Sequence, residues 1–556
     1  MIVRRTDQSH LEKKSVPAAS HMIRYHNIRG SRICIGISVV LMLFSIICSS
    51  RAAFTASVST SVRKSCRISS LRRAQRRCLH LSRAPEDSAQ DPFESNESIY
   101  NEKQRQLDRA STLSLAPMME YTDRHFRHLV RLISSETLVY TEMVGASAVY
   151  HEQLDAKEAY RQEHPTAGEE EVKANYNNQY LQRFLAQGTV APLEGPSTLQ
   201  LGGSDPEIMY HTAKTVVELA ERGVCDYTAL NLNCGCPSPK VAGKGCFGAA
   251  LMDDATLVAD VSRAMFEGTD GRLPVTVKCR IGTDTDHPFT QQSYANLNPQ
   301  EEYSKLCRFI ETVASNGVVK SFDVHARIAV LQKSFSPADN RKIPPLKYEL
   351  VSRLTEDYPE LSFSLNGGID TIAQAKELLE ASPKLKGVMI GRAWAADPWR
   401  FAMADRLLFG KEGPPVAKNR LEVLKAYGRH ADQEEALWDP VKIRRFIVKA
   451  VTPLFAGEPN AKRYRIRLDQ LASIPKNLDK RNKSLDSQPS ISELIVNTAL
   501  ECLSEETLLR TPEESYERFL LQQSGKEQVT EWQAQRKATE AAGDSSYMNT
   551  LKEGAV

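Results

Sequence analysis

Residues 197–233 read STLQLGGSDPEIMYHTAKTVVELAERGVCDYTALNLN. The run STLQLGG (197–203) is apolar and β-branched and ends on glycines, the pattern of a short strand closing in a turn. Asp205 and Pro206 suit a helix start, a helical pattern continues to 223, and Gly223 suits its stop. A second strand-like run, YTALNLN (227–233), follows at once. Strand, helix and strand therefore succeed one another with short connections, as in an α/β protein.

The same rhythm extends in both directions. LSLAPM (113–118), LVYTEM (138–143), PVTVKCR (274–280), SFDVHAR (321–327), FSLNGG (363–368) and GVMIGR (387–392) are further strand candidates, and TIAQAKELLEAS (371–382) is a further helical pattern. Eight strands alternating with helices over about 280 residues match a (β/α)8 TIM barrel. An open doubly wound sheet is the alternative, but no strand is followed by a GxGxxG fingerprint. Residues 151–192 break the rhythm; they are polar and rich in Glu and Gln, and read as an insertion, either a helical excursion or a loop. The barrel is placed at 110–405.

The whole chain is larger than one barrel. Its 556 residues allow two to four domains. With 41% hydrophobic and 25% charged residues it has a globular composition, not that of a disordered chain. A net charge of +3 excludes a histone-like polycation but leaves room for a local basic face. Eleven cysteines are too few for a disulfide scaffold.

The first 95 residues read as a cleaved targeting leader. From Lys13 to Pro85 there is no Asp or Glu. ICIGISVVLMLFSIIC (33–48), preceded by Arg24, Arg29 and Arg32 and followed by SSRAAF, has the order of a secretory signal, placed at 22–53. A Ser-, Thr- and Arg-rich transit-like segment follows at 54–85. The tandem resembles the bipartite leader of plastid proteins in algae with secondary plastids; a mitochondrial presequence or a retained anchor are the alternatives.

In a barrel the reacting groups sit where strands end and βα loops begin. Those positions carry Pro117 and Met118, Glu142, Gln200, Asn233 and Cys236, Lys278 and Arg280, His325 and Arg327, Asn366-Gly367-Gly368, and Gly391-Arg392. The turns after the last two strands are a barrel's usual phosphate site; glycines let backbone N–H groups approach and Arg392 adds a charged donor. Lys278, inside an apolar strand, needs an anionic partner if it faces the lumen. Cys236, followed by Pro237 in the loop after a strand, can serve as nucleophile when ionised or as general acid when protonated. Cys234, Cys236 and Cys246 lack a fourth nearby Cys or His, so no metal site is expected.

APMMEYTDRHFR (116–127), YTEM (140–143), LQLGGSDP (199–206), ALNLNCGCPS (229–238), VTVKCRIG (275–282), VHAR (324–327), NRKIPPL (340–346), NGGI (366–369) and GRAWAADP (391–398) resemble, in order, the flavin-dependent tRNA-dihydrouridine synthases. VHAR followed by SPADNRKIPPL is similar to the branch that modifies D-loop uridines 20 and 20a. The resemblance implies an FMN cofactor reduced by NADPH. It implies that Pro117, Met118, Met119, Gln200, Lys278, His325, Asn366, Gly367, Gly368, Gly391 and Arg392 hold FMN, that hydride reaches C6 of uridine, and that Cys236 protonates C5. Asn233 would contact the flipped-out base. Met119-Glu120, the 151–192 insertion and the long C-terminal tail depart from the family's pattern and bear on substrate range.

From Val441 to Leu468 eight basic residues (Lys442, Arg444, Arg445, Lys449, Lys462, Arg463, Arg465 and Arg467) stand against one acid, Glu458, a phosphate footprint on a helical pattern. The resemblance makes 415–475 a small all-helical tRNA-recognition domain, with Lys462, Arg465 and the barrel residue Arg341 at contact positions. Residues 476–556 hold one amphipathic candidate, 491–509, and no assigned work. A monomer is expected, without a stable protein partner and without membrane association once the leader is removed. Another FMN barrel acting on a free pyrimidine, of the dihydroorotate dehydrogenase kind, is the competing reading.

Overall fold

The eight runs form parallel strands that close on themselves. The computed structural model describes residues 95–187, 194–238, 247–285, 289–290, 292, 298–473 and 489–524. The signal-like and transit-like segments expected at 22–53 and 54–85, and Cys246, lie outside the described residues. The strands are β1 (Leu113–Leu115), β2 (Leu138–Tyr140), a two-residue β3 (Val144–Gly145), β4 (Ser197–Gly202), β5 (Ala229–Cys234), β6 (Val275–Arg280), β7 (Val319–His325), β8 (Ser362–Asn366) and β9 (Gly387–Ile390). β1 pairs with β2 on one side and β9 on the other, and β2 pairs with β4, so the ring is closed and the open-sheet alternative is excluded. β3 only lengthens this wall, pairing beside Leu201 and Gly202 of β4.

Alternation along each strand sorts the side chains. Leu199 and Leu201, Leu230 and Leu232, Val275, Val277 and Cys279, Phe322 and Val324, and Phe363 and Leu365 are buried in the main apolar core with residues of the surrounding helices. The alternate positions on the same strands are polar: Gln200, Asn231, Asn233, Thr276, Lys278, Arg280, Asp323, His325, Ser364 and Asn366. Two hydrogen bonds join strands that are not neighbours, Tyr140 Oη to Asp323 Oδ2 at 2.7 Å and Lys278 Nζ to Asn366 Oδ1 at 3.0 Å. Such bonds can form only across the lumen, which fixes the polar set on the inside. Below it a separate apolar cluster, Ala116, Leu138, Tyr140, Ala229 and Met389, meets Leu107 and Ala110 of the helix Asn96–Ala110. That helix closes the end of the barrel opposite the strand C-termini.

The helix Pro206–Glu221 starts as the sequence implies: the Asp205 carboxylate accepts from Ile208 N–H, and Gly223 takes φ +67° after its end. The insertion is a helical excursion beginning at Ala146, with helices Ala146–Glu163, Glu169–Asn175 and Gln179–Phe184. Lys157 and Tyr176 both bond Glu218 of the Pro206–Glu221 helix, at 2.8 and 3.0 Å, which fastens the excursion to the barrel.

After the barrel come Arg420–Leu437, Pro440–Val451 and Ala461–Ala472. The helical region does not stop at 475. Ile491–Cys502, opened by a reciprocal Ser490–Glu493 capping box, packs on Arg420–Leu437. Ser492 bonds Asp432 through its N–H and its hydroxyl, at 3.0 and 2.6 Å. Pro512–Ser524 returns to the barrel, where Trp399 Nε1 donates to Ser515 Oγ at 2.9 Å. Barrel and helical region meet through a buried Arg124–Glu434 ion pair at 2.5 Å and a His125–His430 hydrogen bond of 3.1 Å, with His128 stacked on His430.

Candidate active site

At the strand C-termini the polar residues form one connected layer. Gln200 Nε2 donates to Asn231 Oδ1 at 2.8 Å, and Asn231 Nδ2 donates to Thr276 Oγ1 at 2.7 Å. Asn233 Nδ2 donates to Gln200 Oε1 at 3.1 Å. Across the lumen Asn366 accepts from Lys278 and donates to Met389 O at 2.7 Å. Lys278 stands beside Asp323 in the β6–β7 register. Burial lowers the Lys278 ammonium to about 8, and burial raises the Asp323 carboxyl to about 6 against the pull of Tyr140 and Lys278. Asp323 is thus the anion that a lumen lysine requires.

The loop after β5 is fastened from two sides. Asn233 Oδ1 accepts from the N–H groups of Gly235 and Cys236, both at 3.0 Å, while Arg280 Nε donates to Gly235 O at 3.1 Å. Cys236 O also accepts from Ala249 N–H at 3.0 Å. The half-buried Cys236 thiol is therefore held at the mouth on a rigid backbone. Cys234 differs by parity alone: it is buried in the apolar core beside Cys279, and burial pushes its thiol up. Asn233 has both amide atoms engaged within the protein, so it positions the Cys236 loop.

The opposite side of the mouth has the features of a cofactor cradle. Gly367 and Gly368 take φ +117° and +71°, backbone that other residues rarely adopt. A Cβ on Gly367 would lie 3.1 Å from His325 Nε2, and one on Gly391 3.2 Å from Met118 Sδ and Ala116 Cβ. His325 Nε2 and Arg327 Nε are buried without a hydrogen-bond partner among the described residues. Burial, reinforced by Arg280, Lys278 and Arg327, keeps His325 neutral. A buried polar atom without a partner is costly, so these two fit a ligand that brings acceptors. Arg392 is exposed at the first position of Arg392–Ala396 and lies within electrostatic reach of Arg327 and Arg341. Pro117 and Met118 are half-buried, whereas Met119 is 56% exposed and lines a cleft with Glu142 and, from the insertion, Glu152 and Asn178.

The basic segment divides into residues with internal work and residues without it. Arg444 is buried against Glu435, and Arg463 and Arg467 each approach Glu501 at 3.6 Å. Lys449 donates to Glu120 O at 2.5 Å. Lys462 and Arg465 are exposed and form no ion pair among the described residues. With Lys449, Glu120 and Tyr121 they line a cleft of about 620 Å³ between the helical region and the barrel mouth. Arg341 is exposed on the far side of the mouth, within electrostatic reach of Cys236.

Several residues of this layer stand out only in three dimensions. Tyr140, Asn231, Thr276 and Asp323 are as tightly networked as the expected residues. Parity was the available signal: Asp323 precedes His325 by two, Asn231 precedes Asn233, and Thr276 precedes Lys278.

The family model described as dihydrouridine synthase matches residues 114–488. The tRNA-dihydrouridine(20/20a) synthase of Yersinia pestis is 37% identical over 363 residues, covering 65% of this chain and 87% of the relative. That of Salmonella typhi is 38% identical over 367 residues, 65% and 90% respectively. That of Escherichia coli strain K12 is 37% identical over 363 residues, 65% and 86%. The match runs through the barrel, its mouth and the first three helices beyond it, and on that basis the chain belongs to the dihydrouridine synthase family.

Proposed function

We propose that this protein is an FMN-dependent tRNA-dihydrouridine synthase that reduces D-loop uridines, those at positions 20 and 20a, with NADPH as the source of electrons. The observation that carries the reading is that the Asn233-anchored Cys236 loop and the His325–Gly367–Gly391 cradle both lie at the C-terminal ends of the barrel strands. FMN bound there would supply a hydride to C6 of the uracil ring. The chain's own residues do the rest. Gly367, Gly368, Gly391, Arg392 and neutral His325 would hold the phosphate end of FMN, Pro117, Met118 and Met119 would lie against its ring, and Gln200 and Lys278 would hold its polar edge. Negative charge developing at C5, conjugated to the C4 carbonyl, requires a proton on the ring face, and the Cys236 thiol is placed to give it. Arg280 and Asn233 keep that thiol from drifting. A stacked uridine cannot present C5 and C6, so the base must be extruded into the mouth. Lys462, Arg465 and Arg341 hold the surrounding RNA through phosphates, which positions without reading sequence.

The reading also takes the protein as a monomer, delivered to a plastid by its leader. Purified protein should be yellow and release FMN, and tRNA incubated with it and NADPH should gain dihydrouridine at 20 and 20a. Turnover of a free pyrimidine without tRNA would instead favour the dihydroorotate dehydrogenase-like alternative. A fusion of residues 1–85 to a fluorescent protein tests delivery, and accumulation in mitochondria would overturn it.

A further inference from the structure

The loop after β1 contains a left-handed residue that is not glycine. Glu120 has φ +65°, a conformation uncommon for a residue with a Cβ and strained unless its surroundings enforce it. The surroundings are specific. Met118 O accepts from the N–H groups of Tyr121 and Thr122, at 3.1 and 3.0 Å, and Met118 N–H donates to Thr122 Oγ1 at 3.0 Å, so residues 118–122 form a closed turn. Glu120 N–H donates to the Glu142 carboxylate at the end of β2. Glu120 O accepts from Lys449 Nζ at 2.5 Å, and the same ammonium lies 4.9 Å from the Tyr121 ring centroid. Both backbone polar groups of one strained residue are thus taken by side chains from elsewhere in the chain. One comes from the barrel wall, the other from the helix Pro440–Val451. The Glu120 side chain is exposed and takes no part in the clasp.

We infer that Lys449 and Glu142 are positioning residues for the flavin site. They hold the Glu120 turn in its left-handed form, and that turn sets Met118 against Gly391. Lys449 is then no member of the RNA phosphate footprint in which its sequence neighbourhood puts it, because its ammonium is committed to the Glu120 carbonyl and the Tyr121 ring. The helical region becomes part of the cofactor site as well as of the RNA cleft. This rests on the FMN reading given above.

The test is FMN affinity, measured by quenching of flavin fluorescence on titration of flavin-free protein. Lys449→Met removes the donor and should weaken FMN binding about five- to tenfold, the worth of one net hydrogen bond of roughly 1 kcal/mol. Lys449→Arg keeps a donor and should retain most of the affinity; Glu142→Ala should resemble Lys449→Met. The discriminating variant is Glu120→Gly. It keeps both backbone bonds and removes the steric cost of φ +65°, so adding it to Lys449→Met should recover affinity. A general packing defect would not be repaired in this way. If Lys449 instead contacts an RNA phosphate, Lys449→Met will leave FMN affinity unchanged and flatten the salt dependence of tRNA binding by about one unit of log–log slope; that result overturns the inference. Failure of the double variant to recover affinity also overturns it. Absence of FMN binding in the unaltered protein would refute the cofactor reading itself, a separate outcome.

Discussion

Lys278→Met should stabilise the flavin-free protein at neutral pH while abolishing dihydrouridine formation. Burial, with Arg280 adding to it, lowers the Lys278 ammonium to about 8 from its ordinary 10.5. Keeping it charged below pH 8 therefore costs the fold roughly 3 kcal/mol. Met fills a similar volume without charge. It leaves Asn366 Oδ1 without the donor it has at 3.0 Å, a loss of about 1–3 kcal/mol, so the net gain at pH 7.5 should lie between about 0 and 2 kcal/mol. The pH dependence is the sharper part. A base whose folded pKa is lowered binds fewer protons folded than unfolded between about 8 and 10.5, so the unaltered protein gains stability as pH rises through that window. By pH 10 only about 1 kcal/mol of that penalty remains, so the lost hydrogen bond offsets or outweighs it and the variant should have lost its advantage. Urea unfolding of both proteins, flavin removed, at pH 7.5 and pH 10 reads the midpoints directly. A variant less stable at pH 7.5, or a difference that does not change with pH, would show that the lumen ammonium carries no burial penalty.

Cys236→Ala should leave FMN binding and NADPH oxidation by oxygen intact while lowering dihydrouridine formation about 10²–10⁴-fold; Cys234→Ala, in the apolar core, should be mild in activity, and equal losses in the two variants would remove Cys236 as proton donor. Lys462→Ala with Arg465→Ala should weaken tRNA binding and make the log–log salt slope shallower by roughly one unit per lost phosphate contact, with FMN content unchanged; wild-type affinity at every salt concentration would take these residues out of the RNA surface. Gly428→Ala should destabilise the helical region, because its Cβ would meet Ser492 Cβ at 2.7 Å where two helices touch, a cost of about 1–3 kcal/mol; an unchanged thermal midpoint would mean that Ile491–Cys502 is not seated there.

The strands were legible because each is a short apolar run ending in a polar or glycine turn, and that signal is local. The lumen was legible only at its rim. Gln200, Lys278, His325 and Asn366 could be picked out as strand-end residues, but Tyr140 and Asp323 meet across 183 positions of sequence and Lys278 and Asn366 across 88. No window along the chain contains such pairs. The basic segment shows the same limit in charge. Counting residues 441–468 finds one acid, yet Glu435, Glu501 and the Glu120 carbonyl, all outside that window, occupy four of the eight cations. The 491–509 candidate was visible as an amphipathic pattern; its Ser490–Glu493 capping box and the close approach of Gly428 that seats it are seen in the structure.

The interior of this barrel divides stability from chemistry by parity along each strand. Positions facing the helices, such as Leu232, Val277 and Val324, are fully buried and apolar, and their burial drives folding at about 25 cal/mol per Å². Positions one residue away face the lumen and carry amides, a lysine, an arginine, a histidine and an aspartate, groups that are costly to bury unless partnered. The register makes the partnering possible: Gln200 sits beside Asn231, Asn233 beside Lys278, Lys278 beside Asp323, Arg280 beside His325, and His325 beside Asn366. Each polar group finds another on the next strand at the same height, so the layer is nearly self-satisfied where it supports the Cys236 loop. Among the described residues it is left unsatisfied at His325 Nε2 and Arg327 Nε, where a ligand's acceptors are expected. A one-residue slip of any of these strands would exchange the two faces, placing charges against the helices and leucines in the mouth. The apolar parity that fixes the fold therefore also fixes the register of the site.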